Sequence, residues 1–109
     1  MRNHVDMQAE VAEALFDLID DVTRHGDVSR LGAFEHKLAG AKRLFRNDPN
    51  AYPNLKEFAE HAARFKELKA MNDEVPEGEP ISDEEHNEEN WLLDRSDILK
   101  ERFKRYVPN

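Results

Sequence analysis

The side chains with the most chemical potential in this chain are carboxylates. Asp6, Glu10, Glu13, Asp17 and Asp20 or Asp21 recur at intervals of four, three, four and three. On an α-helix this places five carboxylates in one stripe, with consecutive members about one 5.4 Å turn apart. Like charges at that separation weaken a helix slightly, and Asp17, Asp20 and Asp21 lie toward the negative end of its dipole. Local helix physics does not select such a stripe. It can be solvated or paired inside the molecule, with Arg30, Lys37 or Arg43 as the nearest cations in sequence. It can also face a partner, or hold a hard divalent cation.

The metal reading has a recognisable pattern to meet. All-α nucleotide pyrophosphohydrolases carry Glu-x-x-Glu on one helix and Glu-x-x-Asp on the next. Glu10 and Glu13 fit the first half, but Glu35-His36-Lys37-Leu38 lacks the terminal aspartate. Glu85 and Glu88 form another half-pattern with nothing matching after it. The likeness is partial and no family is claimed from it. His4, His25, His36, His61 and His86 show no i, i+4 pairing, and none has a glutamate three residues before it, as di-iron bundles require. No metal and no cofactor is expected.

Nucleophilic chemistry has little foothold. Cysteine is absent, which also removes disulfides and thiolate metal sites. The hydroxyl candidates are Thr23, Ser29, Ser82 and Ser96, and the three serines sit where helix caps belong. Neither a Gly-x-Ser-x-Gly turn nor a phosphate-cradling glycine loop occurs. Leu99 to Tyr106 interleaves basic and aromatic residues, which suits stacking on nucleic acid. The same pattern is what a helix C-terminus packing Phe103 and Tyr106 would show.

The elements that must position these groups read as helices. A first helix is expected over about 4–25, with Val11, Leu15, Leu18 and Val22 on its core face and Gly26 as its stop. A second is expected over about 28–47, capped by Asp27 or Ser29, with Leu31, Phe34, Leu38, Ala41 and Phe45 as its stripe. A third is expected over about 54–72, with Asn54 and Glu57 as a capping box. Residues 74–82 hold two prolines and a glycine and read as a linker. A fourth helix follows Ser82 to about Tyr106, with a break expected near Asp94 to Ser96. The expected fold is all-α: a three-helix antiparallel bundle over 1–73, an acidic linker over 74–82, and a C-terminal helical segment over 83–109 packing back on the bundle.

Gly32 and Gly40 fall inside the second helix, where each costs about 1 kcal/mol relative to alanine. With Ala33 they form a small-residue face, suited to close approach by another helix of this chain or to self-association.

The 109 residues carry a net charge of -8, which belongs to one place. Residues 74–90 hold no lysine or arginine and eight acids: Glu74, Glu77, Glu79, Asp83, Glu84, Glu85, Glu88 and Glu89. The rest of the chain balances to zero. A helix start favours Asp83, Glu84 and Glu85, but not Glu74, Glu77 and Glu79, which precede the cap. Leu, Ile, Val and Phe make up only 25 residues, so the core is small. No apolar run reaches the 18 or so residues of a membrane span, and the N-terminus has no signal-peptide pattern, so a cytoplasmic protein is expected.

The expectation for function is a non-enzymatic acidic regulator or inhibitor that binds a basic surface of a partner protein. That partner would itself suit nucleic-acid binding, and the acidic segment would mimic nucleic-acid charge, as in small phage and mobile-element proteins. Direct nucleic-acid binding is disfavoured by charge. The alternatives are an assembly subunit forming a homodimer through Gly32, Ala33 and Gly40, and a carboxylate-metal enzyme.

Overall fold

The first helix, α1 (His4–His25), forms where the apolar stripe predicts it. Val11, Ala12, Leu15, Leu18, Ile19 and Val22 are all buried on one face. Gly26 ends it with φ at +61°, a left-handed conformation that glycine adopts without steric penalty. Its N–H donates to the Val22 carbonyl and the Asp27 N–H to that of Asp21, so the helix end is closed by backbone. The Lys69 Nζ then donates to the Gly26 carbonyl at 2.7 Å and ties this turn to a later helix.

The computed structural model describes residues 4–73 and 83–107. The protein is all-α, with α2 (Leu31–Leu38), α3 (Ala41–Leu44), α4 (Ala51–Asp73), α5 (Asp83–Phe103) and a 3-10 turn over Lys104–Tyr106 following α1. No strand occurs among the described residues. No helix among them is long and apolar enough to cross a membrane.

The second expected helix is corrected in three ways. It starts at Leu31, with Arg30 in the cap position and no side-chain cap. Asp27 instead accepts the Ser29 N–H at 2.9 Å and the Ser29 hydroxyl at 3.1 Å, which builds a turn before the helix. The helix also breaks at Ala39–Gly40, and a four-residue α3 resumes from Gly40. Glycine is the weakest helix former after proline, and here the chain bends at it.

The third expected helix begins at Ala51, three residues early. Pro53 lies in its first turn, where a missing N–H is no loss. Asn54 is therefore inside the helix, where its Nδ2 donates to the Asn50 carbonyl, and no Asn54–Glu57 capping box forms. The expected break in the last helix is also absent: α5 runs unbroken through Asp94 to Ser96. Ser96 is buried and donates its hydroxyl to the Leu92 carbonyl at 2.6 Å, so it satisfies itself within the helix and caps nothing. The Ser82 cap lies outside the described residues.

One core joins all of these elements. Phe34, Phe58, Phe103, Leu15, Leu18, Leu55, Leu92 and Leu99 are buried almost completely. Helix α1 packs on α2, α3 and α5, while α4 packs on α2 and α5. Helices α4 and α5 are antiparallel, as the pairs Asn54–Arg95, His61–Glu88 and Arg64–Glu84 show. Near the C-terminus, Phe45 meets Phe103 and Tyr106 edge-on at 5.9 and 4.9 Å, which holds the 3-10 turn against the end of α3.

Candidate functional site

The C-terminal half of the α1 stripe is paired inside the molecule. Arg30 reaches both Asp21, 3.1 Å from its Nε, and Asp17, 3.6 Å from its Nη1. Lys100 of α5 donates to Asp20 at 3.1 Å. Asp6 and Glu13 are exposed and Glu10 is half-buried. Among the described residues no group of three or more His, Asp or Glu side chains is placed to hold a metal ion.

The acidic segment divides differently. Glu74, Glu77 and Glu79 lie outside the described residues. Glu84 takes a hydrogen bond from Arg64 at 3.0 Å. Glu88 meets His61 Nδ1 at 2.6 Å, and the His61 ring stacks on Trp91 with centroids 3.6 Å apart. This cluster clasps α5 to α4, so Glu88 has a structural task. Glu85 is 5% exposed, and burial withdraws it from any partner surface. Asp83 is exposed, and Glu89 is half-buried.

The small-residue face is also corrected. A Cβ built at Gly32 or Gly40 would meet nothing within 4 Å, so no helix of this chain approaches closely there. Gly32, Ala33 and Gly40 are exposed instead.

The sequence reading passed over a basic corner. Between Glu35 and Asp48 the chain carries Lys37, Lys42, Arg43 and Arg46 and no carboxylate. Those cations suit the end of one long helix, but the break at Gly40 leaves α3 four residues long, with Arg46 beyond its end. Lys42, Arg43 and Arg46 are exposed, and none has an ion-pair partner among the described residues. Lys42 and Arg46 line a groove with Phe45, Asp48, Pro49, Tyr52 and Pro53. The uninterrupted basic run was the available signal.

Asp48, the next carboxylate along the chain, is already engaged. Its Oδ2 accepts hydrogen bonds from Arg105 at 2.5 Å and from the Tyr106 hydroxyl at 2.9 Å, while its Oδ1 takes the Asn50 N–H. Burial pushes the Asp48 carboxyl up. The hydrogen bonds from Tyr106 and Asn50, with the Arg105 charge, outweigh it and hold the pKa below the usual carboxylate value. Burial raises the Tyr106 phenol.

These features occupy opposite ends. The corner lies beside the start of α4 and the end of α5, whereas Glu84 lies at the beginning of α5. The 21 residues of α5 separate them by about 30 Å at 1.5 Å per residue. The Lys42, Arg43 and Arg46 corner and the start of α5 thus lie at opposite ends of α5.

Comparison with protein families, curated proteins and solved structures finds no match to this chain.

Proposed function

We propose that this chain is a non-enzymatic interaction protein whose acidic 74–90 segment engages a basic surface on a partner protein. The supporting observation is where the ion pairs fall. Asp17, Asp20, Asp21 and Asp48 are matched by Arg30, Lys100 and Arg105 within the body. Among the described acids of this segment, Glu84 and Glu88 reach Arg64 and His61 of α4. By sequence, the excess negative charge falls on residues 74–90, which hold eight acids and no lysine or arginine. Electrostatic attraction of this kind speeds encounter and weakens as salt rises.

Glu88 is left intact because it clasps α5 to α4. Glu74, Glu77 and Glu79 are changed together to glutamine. Wild-type and variant proteins are used as baits in lysate from cells that carry the protein, at about 50 and 300 mM salt. A basic protein captured by the wild type at low salt should be released at high salt and missing from the variant. Equal capture by both baits overturns the reading and makes the segment a connector.

A further inference from the structure

Helix α4 covers one flank of α5 only in part. The pairs Arg64–Glu84, His61–Glu88 and Asn54–Arg95 show the two helices running antiparallel along that flank. Helix α4 begins at Ala51, so the cover ends shortly past Arg95. Beyond it lies a groove of about 760 Å³, with Asp48 and Asn50 on one side and Asp97, Ile98, Glu101 and Arg102 of α5 on the other. Ile98 is 47% exposed there.

A single exposed isoleucine is ordinary. What distinguishes this one is the order of the charges around it. Asp94, Ile98 and Arg102 are spaced four apart, so they form one ridge on the helix that reads acidic, apolar, basic. Arg95 and Glu101 flank Ile98 three residues to either side, again with opposite signs. Asp94, Glu101 and Arg102 are exposed, and none has an ion-pair partner among the described residues. The Arg95 guanidinium is held in place by Asn54 Oδ1 at 3.3 Å and by the Trp91 ring, 5.9 Å away. Reversed end to end, this face is complementary to itself.

We propose that this face of α5 docks the same face of a second copy of the chain, antiparallel about a two-fold axis at Ile98. Such an axis sets residues equally far before and after Ile98 against one another, and every contact occurs twice. Asp94 of one protomer meets Arg102 of its partner, Arg95 meets Glu101, and the two Ile98 side chains pack together on the axis. A parallel pairing would set Asp94, Glu101 and Arg102 each against its own copy, where like charges repel. The charge order therefore selects the antiparallel arrangement, and an isologous contact closes as a dimer. Its ion pairs are exposed, so association is weak and falls as salt rises. The contact uses no residue of the 74–82 stretch.

The test uses full-length chains and sedimentation or light scattering at about 200 μM, in about 20 and 300 mM salt. The mass of the wild type should rise above 12.7 kDa toward twice that value at low salt and fall back at high salt. Asp94→Arg sets a cation opposite Arg102 in both protomers, and Arg102→Asp sets a carboxylate opposite Asp94. Each variant alone should stay at the chain mass. An equimolar mixture of the two should regain association, because the cations of one variant meet the carboxylates of the other. Ile98→Lys places two ammonium groups together on the axis and should also stay at the chain mass. All three positions are exposed, and helix content by circular dichroism checks that each variant folds. A wild type that stays at the chain mass at low salt overturns the proposal. Association of Asp94→Arg or Arg102→Asp alone also overturns it and places the interface on another face. So does a mixture of those two that stays at the chain mass while the wild type associates.

Discussion

Asp48 shows how one side chain can fasten a turn in mid-chain to one 57 residues later. It sits in the turn before α4, accepts the Asn50 N–H there, and receives Arg105 and Tyr106 from the last turn of the protein. Its side chain is 16% exposed and that of Arg105 63%, so the Tyr106 bond is better shielded from water than the Arg105 pair. Asp48→Asn removes the charge that Arg105 needs and should lower unfolding stability by about 1–2 kcal/mol at neutral pH, read from urea denaturation. The pH dependence has a definite sign. The folded-state pKa of Asp48 lies below its ordinary value of 3.8. Its contribution is therefore present above that value and is lost as pH falls through the folded pKa. As pH falls from about 5 to below 3.8, the wild type should progressively lose its advantage over Asp48→Asn. A gap that stays constant over that range would show that the carboxylate charge contributes nothing. The sequence presents Asp48 only as a helix breaker before Pro49, because its partners lie 57 and 58 residues away and no local pattern connects them.

At the scale of elements, legibility followed length and amphipathicity. The core face of α1 was readable because Val11, Leu15, Leu18 and Val22 repeat over three turns against one core. The break between α2 and α3 was not. Leu31, Phe34, Leu38, Ala41, Leu44 and Phe45 are buried on both sides of it, so apolar periodicity runs straight through. Only Gly40 marked the bend. The caps were misplaced for a related reason: Asp27 and Asn54 do bond to the backbone, but in a turn and inside a helix, and composition alone does not separate those uses. Two glycine substitutions test the distinction. Gly26→Ala forces a side chain into a left-handed φ of +61° and brings its Cβ to 3.3 Å from Lys69 Nζ. It should destabilise by about 1 kcal/mol. Gly32→Ala adds a Cβ where nothing lies within 4 Å. It should raise stability by up to about 1 kcal/mol through helix propensity. Thermal melts of the two variants should shift in opposite directions. The same Gly32→Ala protein bears on the dimer reading: a gain in stability with unchanged association leaves the Gly32, Ala33 and Gly40 face without a role in assembly.

For the whole molecule, the sequence located the excess charge and the structure located its counter-charges. That distinction ranks the two acidic surfaces. The α1 stripe looks like a partner surface while only α1 is considered. Folding brings Arg30 and Lys100, the latter 80 residues from Asp20, onto it. Ion pairs at exposed positions contribute only about 0–1 kcal/mol each, so their main consequence is for recognition rather than stability. A basic partner approaching Asp17, Asp20 and Asp21 must first displace cations already there. The 74–90 segment carries eight acids and no lysine or arginine, and Glu84 and Glu88 reach α4. Neutralising Asp17 and Asp20 to asparagine should therefore leave salt-sensitive capture of a basic partner within about twofold of wild type, with stability changed by less than about 1 kcal/mol. Neutralising Glu74, Glu77 and Glu79 should reduce capture at least about tenfold, with the melting midpoint of the core preserved. Measured side by side at low salt, the reverse order would assign recognition to α1, and would mean that the partner exchanges its own basic groups for Arg30 and Lys100.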